Sequence, residues 1–592
     1  EPLPEALRGQ PVIWSTANLK EVVSAVPSPF SWATIRLTVR DLIESTVRRS
    51  NHVCPPGLRW ARLYRGHPYF NLSLMQWMFY DAFGIAPARM NRLLGGQQPE
   101  IRVPPGNPFL GRGGLGRLRG VVRQIADAGR AAAEIERACA DASAATRRVL
   151  ATDVGTKTEA EILDDFYAMG AVYLRFMPEF MRANSQAASW LDNLANTLER
   201  LLPGRGRALS TRLLAGTGGI ASAEQGYRLA ELARTAAADA RARAFFLTAQ
   251  SLPRPNELAA PAEQPAPDAS LPLATDWRRK LDGTGSGRAM ERFLEEFGHR
   301  GVDELEIAQP RWVEDPSYVV ETVRQHILGG LETPPEHAAA RRAEAEREVA
   351  ARLRFHPLRP LVGWMVGQAR RASALRENSK SVLVLTMMPP RRGALEIGRR
   401  LAARGVVRTS EDIFYLTSTD MMALVDGSWD GAGAQRLVDD RRARNRRHYE
   451  EGAPDVVLDD RPLAVDHGPA SVDAAGETFA GLGVAAGTAR GAARIVRHPR
   501  DGASLQKGEV LVAPTTDPGW TPLFLRAAGL VMETGGYLSH GAIVAREYGI
   551  PAVANLPGIM TALRDSDPLL VDGNTGRVTR QKAPAAAAGG AS

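Results

Sequence analysis

The pattern of the chain changes once, near residue 451, and that change divides what it can fold into. Up to about residue 450 apolar residues recur at helical spacing in Ala-, Arg-, Leu- and Glu-rich stretches, as around Ile135 to Leu150. Beyond Glu477 short β-branched runs, Ala493 to Val496, Val510 to Ala513, Leu530 to Met532 and Leu569 to Val571, alternate with glycines and short helical segments. The expected architecture is multidomain: a large mainly α-helical domain over residues 1–450, then a small α/β domain over residues 477–580. A length of 592 residues is too great for one ordinary core, which agrees with that division. Residues 451–476, rich in Gly, Pro, Asp and Ala, read as the linker, and the Ala- and Gly-rich residues 581–592 as a disordered tail. Six prolines within residues 252–272 predict an extended surface loop inside the helical part. Glu336 to Arg354 reads as one long helix with a solvated face of both charge signs.

Several classes of function are set aside by composition. No apolar run approaches membrane-spanning length, and the opening residues lack a basic-then-apolar leader, so a cytoplasmic protein without membrane partners is expected. Cys54 and Cys139 are far apart and outside any CxxC spacing, which argues against a disulfide framework and a cysteine zinc site. No metal ligand is assigned. The net charge of +8 raises the question of a polyanionic partner. Yet the densest cluster, Arg441, Arg442, Arg444, Arg446 and Arg447, lies among Asp439, Asp440, Glu450 and Glu451 in a helical stretch and reads as a solvated face. No basic motif interleaved with aromatics is found, so nucleic acid is not expected. An anionic phosphate group suits the same charge.

The most specific segment runs from Gly535 to Val553. A glycine pair, Gly535-Gly536, permits a tight turn after a strand, and Ser539 is placed to cap a helix reaching about Tyr548. His540 then stands at the positive end of that helix. Free N–H groups there, with Ser539 and Gly541 as the cradle, suit a phosphoryl group on the imidazole. An imidazole is also a competent nucleophile at neutral pH. The competing reading is a buried, hydrogen-bonded histidine without chemistry. Arg546 and Glu547 are read as closing the helix by local salt bridges.

On these residues, the segment resembles the mobile, swivelling domain of phosphoenolpyruvate-utilising enzymes, shared by phosphoenolpyruvate synthases, pyruvate phosphate dikinases and rifampicin phosphotransferases. Gly508 to Val512, Thr516-Asp517-Pro518-Gly519-Trp520-Thr521-Pro522-Leu523, and Val571-Asp572-Gly573 with Gly576 follow in the family's order. The resemblance implies that His540 accepts phosphate originating from ATP. Leu538 stands where dikinases carry a regulatory threonine, so that regulation is not implied.

The helical part is similar to the substrate-binding domain of rifampicin phosphotransferases and of prodigiosin-forming ligases. The similarity is carried by Trp14-Ser15-Thr16-Ala17-Asn18 with Glu21, Pro29-Phe30-Ser31-Trp32, Tyr69 to Ser73, Phe297 to Gly301 with Glu304, and Pro310-Arg311-Trp312 with Glu314-Asp315-Pro316. His299, Arg300, Glu304 and Arg311 could line a polar substrate pocket or form a buried structural network. Arg376 and Lys380 lie four apart on one helix face, where two cations repel unless an anion docks between them. The resemblance makes Arg376, Glu377 and Lys380 an Arg-Glu-x-x-Lys element facing the histidine domain. Glu377 would then be general base for an acceptor hydroxyl, with Lys380 and Arg376 stabilising the transferring group. The alternative is an exposed amphipathic helix. Met75 to Tyr80 reads as core, or as a wall for a flat apolar substrate.

No ATP-binding segment is recognised. Gly111 to Gly116 is glycine-rich but lacks the Lys-Ser/Thr ending of a phosphate loop. The expectation is a histidine-dependent transfer of phosphate to a small, partly apolar molecule. ATP and Mg2+ would be used only indirectly, through a separate ATP-grasp chain. The other readings are an ATP-independent dehydratase or cyclase in which His540 is general acid or base, and a ligase component working through an acyl phosphate.

Overall fold

The computed structural model describes residues 7–16, 26–36, 57–83, 86–94, 98–103, 113–250, 271–329, 335–463, 471–473, 476–516, 518–537 and 539–581, with residues 19, 23 and 40. The proline-rich stretch up to residue 270, the tail from residue 582, Leu538, Asp517 and the motif residues Ala17, Asn18 and Glu21 lie outside the described residues.

Two segments distant in sequence open and close the helical part together. Strands β1 (Ile13–Ser15), β2 (Ala61–Tyr64), β3 (His67–Asn71), β4 (Val456–Leu458) and β5 (Arg461–Pro462) form an antiparallel sheet of order β2-β3-β1-β4-β5. Trp14 pairs with Val457 and with Asn71 across it. Residues 456–458 and 461–462, within the stretch expected to be linker, are therefore strand. Helix α1 (Leu72–Phe83) leaves β3, its start capped where Asn71 Oδ1 accepts the Leu74 amide at 3.0 Å. Met75, Trp77, Met78 and Phe79 pack into a core with Ile13, Trp60 and Val456.

The bulk of the chain is helical: α2 (Gly113–Leu150), α3 (Glu159–Leu201), α4 (Ala221–Ala238), α5 (Gly285–Phe297), α6 (Ser317–Gly329), α7 (Pro335–Arg352), α8 (Arg359–Thr386), α9 (Met388–Ala403) and α10 (Ala434–Glu451). A capping box starts α3, with Thr158 and Glu161 satisfying each other's backbone amides. Leu194 and Leu198 of α3 meet Ala345 and Val349 of α7 and Val362, Met365, Val366 and Ala369 of α8 in one core. These apolar stripes at spacings of three and four residues lock α8 lengthwise. Glu377 and Lys380 of that helix are thereby buried. On α10 the arginines are not merely solvated: Arg441 reaches Asp420 at 2.7 Å and Arg442 pairs with Asp412.

The C-terminal part is α/β. Strands β6 (Ser471–Asp473), β7 (Gly476–Ala480), β8 (Leu482–Ala485), β9 (Thr488–Ile495), β10 (Val510–Ala513), β11 (Gly529–Met532), β12 (Ala552–Ala554), β13 (Pro568–Asp572) and β14 (Arg577–Gln581) form a sheet of order β6-β7-β14-β13-β9-β10-β11-β12-β8. Its centre, β9-β10-β11-β12, is parallel. Strands β10, β11 and β12 are continuous apolar runs, as a sheet covered on both faces requires, and Val510 to Ala513 are wholly buried. The short helix α11 (Thr521–Phe524) lies between β10 and β11, and α12 (His540–Tyr548) between β11 and β12. Ile220 and Ala223, at the start of α4, belong to the same apolar cluster as Ala542, Ala545 and Tyr548 of α12. The two parts are docked through that shared core.

Candidate functional site

The site begins with the turn after β11. Gly535 has φ +148°, a conformation that side chains resist, and Ser539 caps α12. The Ser539 hydroxyl donates to Gly536 O at 2.9 Å and accepts from the Ala542 amide. Gly541 presses onto β11: a Cβ there would sit 2.3 Å from Thr516 Oγ1 and 2.5 Å from Met532 Sδ. Close packing is thus sufficient reason for that glycine. His540 is the first residue of α12 and is 2% exposed.

Docking carries His540 to α8. Its Nε2 is 3.0 Å from Thr521 Oγ1, within its own domain, and its Nδ1 faces Glu377 Oε2 at 3.9 Å across the domain boundary. Glu377 Oε2 also accepts from Ser222 Oγ, the second residue of α4, at 2.7 Å, and Oε1 accepts from Arg376 Nη1. Beyond Ser222 lies Arg300, whose Nη2 is 3.5 Å from that hydroxyl and whose Nε donates to Glu304 Oε1 at 2.5 Å. Lys380 Nζ is 3.7 Å from Glu304 Oε2. His540, Glu377, Arg376, Lys380, Arg300 and Glu304 thus form one buried cluster. His540 Nδ1, Arg300 Nη1 and Arg376 Nε engage no hydrogen-bond acceptor or donor among the described residues.

Burial sets the charge states. It pushes His540 down to about 3, with Lys380 and Arg300 adding to the effect and Glu377 opposing it. Burial alone would raise Glu377, but Arg376 foremost, with Lys380 and Ser222, brings it to about 2. Near neutral pH the cluster therefore holds a neutral imidazole beside an ionised carboxylate. The carboxylate favours a proton on Nδ1, which leaves the Nε2 lone pair to accept from Thr521. An unfolded chain binds a proton on this histidine below about pH 6.5, whereas the folded chain does not until about pH 3. The stabilisation is thus complete above pH 6.5 and is lost as pH falls towards 3. At about 1.36 kcal/mol per unit, His540 alone costs about 2 kcal/mol between pH 6.5 and 5. Urea titrations at those two pH values will show a smaller acid loss for His540→Gln than for the parent chain.

The other expected residues are placed differently. His299 turns to Ser381 Oγ at 3.0 Å, and burial with the adjacent Arg300 pushes it down to about 3. Arg300 and Glu304, read as possible pocket lining, are sealed against one another. Arg311, wholly buried, belongs to a neighbouring network: its amide donates to Glu314 Oε2 at 2.8 Å and its Nη2 to Glu306 O at 3.3 Å, while Arg391 of α9 binds Glu314. The anions lying against Arg376 and Lys380 are the protein's own Glu377 and Glu304. Arg546 and Glu547 do not close α12 by local salt bridges. Arg546 donates to Val484 O and Tyr537 O, and Glu547 reaches Thr217 of the helical part. Ser222 and Thr521 were not singled out from sequence. Thr521 lay inside a quoted motif, but a serine at a helix start carries no signal.

The two segments that meet at His540 each match a known family. Residues 505–576 match the mobile domain of PEP-utilising enzymes, and residues 175–377 match the rifampicin phosphotransferase fourth domain. The chain therefore resembles the phosphoenolpyruvate-utilising enzymes, in its mobile domain and in the helical segment that ends on Glu377. Among individual proteins, it is 29% identical over 453 residues to the prodigiosin synthesizing transferase PigC of Serratia marcescens, covering 74% of this chain and 47% of that protein. It is 32% identical over 308 residues to the rifampicin phosphotransferase of Streptomyces sviceus, covering 50% of this chain and 34% of that enzyme. With the Bacillus cereus rifampicin phosphotransferase it shares 28% over 298 residues, 49% of this chain and 34% of that enzyme. The chain spans about half the length of the first relative and about a third of the other two. Among the described residues no helix is long and apolar enough to cross a membrane.

Proposed function

We propose that His540 carries a phosphoryl group and delivers it to a small, partly apolar molecule held by the helical domain. The observation that supports this most is the 3.9 Å approach of His540 on one domain to Glu377 on the other, inside a cluster that also holds Arg376 and Lys380. In the loading step the Nε2 lone pair forms the N–P bond as the donor's P–O bond breaks, and the Thr521 hydroxyl is released from Nε2. In the transfer step the imidazole is turned so that Nε2 takes the place of Nδ1 opposite Glu377; the acceptor hydroxyl attacks phosphorus, the N–P bond breaks, and Glu377 takes the hydroxyl proton. Arg376 and Lys380 offset the charge on the moving group. The name of the rifampicin phosphotransferases agrees with phosphoryl transfer to a small molecule, and that of the prodigiosin synthesizing transferase with a transferase.

The phosphate source in this reading is ATP with Mg2+, handled by an ATP-grasp unit outside residues 1–592. Among the described residues no group of three or more His, Cys, Asp or Glu is arranged to hold a metal, and no residue here is assigned to Mg2+. The test is incubation of the chain with ATP, Mg2+ and an ATP-grasp protein, followed by detection of acid-labile phosphate. Phosphate on His540 is the expected result, and conversion of a substrate without ATP would sink the proposal. That second outcome would favour general acid–base work by His540 and Glu377, which already face each other in the unphosphorylated chain.

A further inference from the structure

The last turn of α12 is held by a glycine-rich stretch of the helical domain that also rests on α7 through Arg342. Glu547 accepts from the Thr217 amide at 2.9 Å, the Thr217 hydroxyl at 2.7 Å and the Gly218 amide at 3.3 Å. Gly216, Gly218 and Gly219 all have positive φ, so this loop keeps a shape that side chains at those positions would strain. Asn378 fixes the loop to α8: its Nδ2 donates to Gly219 O, and its Oδ1 accepts from the Ala221 amide, both at 3.1 Å. Asn378 is the neighbour of Glu377. The loop that grips α12 is therefore indexed to the carboxylate that His540 must meet.

The next residue enters α4. Tyr548 donates to Ala223 O at 3.0 Å, and its ring lies 5.3 Å from that of Tyr227. Room for it comes from Gly226, in the middle of α4. A Cβ on Gly226 would lie 2.0 Å from Tyr548 Oη and 3.1 Å from Cζ. Glycine is a poor residue for a helix interior, and nothing in α4 itself calls for it. The docked tyrosine does.

We propose that Gly226 and the Gly216–Gly219 loop form a keyhole for Tyr548 and Glu547, and that this pair of positioning residues sets the fraction of time His540 spends against Glu377. Seated, His540 is sealed from any donor. Unseated, it is open to loading. The proposal rests on His540 being the carrier, and it adds the element that decides which of its two stations is occupied.

Gly226→Ala is the discriminating variant, since alanine strengthens α4 while blocking the seat. Two readouts apply: the rate at which diethyl pyrocarbonate modifies His540, followed by peptide mass spectrometry, and amide exchange at Thr217 and Gly218. Gly226→Ala will raise both by roughly tenfold or more, with an unchanged helical circular dichroism signal. Adding Tyr548→Phe removes the 2.0 Å clash, leaves only the tight contacts with Cζ at 3.1 Å and Thr521 Cγ2 at 3.3 Å, and will bring both rates part of the way back towards the parent chain. Parent-like rates in Gly226→Ala, or failure of Tyr548→Phe to lower the raised rates, would overturn the keyhole. Potassium phosphoramidate, a small phosphate donor, separates the two proposals. If Gly226→Ala exposes His540 but no variant gains acid-labile phosphate, the keyhole stands and the carrier reading falls. If the parent and Gly226→Ala take up phosphate equally fast, the keyhole falls and the carrier reading stands.

Discussion

Replacing His540 with glutamine will abolish acid-labile phosphate on the chain and lower transfer by about a thousandfold or more, while the fold is kept. Glutamine is close to imidazole in volume, and its carbonyl can accept from Thr521 as Nε2 does. It has no nucleophilic nitrogen. Glu377→Gln should separate the two half-reactions. It keeps the contact with Ser222 but cannot take a proton, so His540 will still be loaded from phosphoramidate while transfer to an acceptor falls by roughly a hundredfold to ten-thousandfold. Rapid-quench measurement of phosphohistidine decay, with and without acceptor, distinguishes loading from transfer. Equal loss of loading and transfer in Glu377→Gln would remove Glu377 from the role of base.

The largest effect on stability will come from Glu304→Ala. Arg300 is 0% exposed and its bidentate partner is Glu304, which also faces Lys380. Truncation leaves a guanidinium buried without its carboxylate, a change that costs about 3–5 kcal/mol. Burial alone would raise Glu304, yet Arg300 and Lys380 keep it below the usual carboxylate range, so its carboxylate is ionised near neutral pH. Urea unfolding followed by helical circular dichroism will show the loss in the helical domain. Converting Arg300 to Met together with Glu304 to Gln will recover most of it, because no guanidinium is left bare and the amide oxygen can still accept from Lys380. A double variant as unstable as Glu304→Ala would mean that volume, not charge, dominates there.

What could be read from sequence follows the range over which each interaction acts. The position of His540 at the head of a capped helix was legible because its surroundings are local: the glycine turn, the Ser539 cap and the tight Gly541 all fall within a few residues. The four strands expected at 493–496, 510–513, 530–532 and 569–571 are found as β9, β10, β11 and β13 for the same reason. Long-range partners left no trace. Val456 to Leu458 is a three-residue apolar run in a Gly- and Pro-rich stretch, and besides its short local partner β5 it pairs with Ile13 to Ser15, more than 400 residues earlier. Likewise Glu547 read as a helix-end charge, since its acceptor role depends on Thr217, 330 residues away. The arginines of α10 read as a solvated face, and Arg376 with Lys380 as a pair awaiting an external anion. Their carboxylate neighbours had to be seen in three dimensions.

The β1–β4 clasp has a mechanical consequence. The Leu463 amide donates to Val456 O at 3.0 Å, so the chain is still tied to the helical domain's sheet at that point. The strands of the mobile domain begin at Ser471. Eight peptide steps at full extension reach about 28 Å, so the tether, not the diffusive freedom of the domain, fixes the radius of any swing. If His540 is loaded as proposed, the donor must approach within that sphere, enlarged only by the α/β domain's own size. Otherwise β5 and then β4 must peel away, and a longer reach is coupled to unfastening the sheet that holds the first residues of the chain.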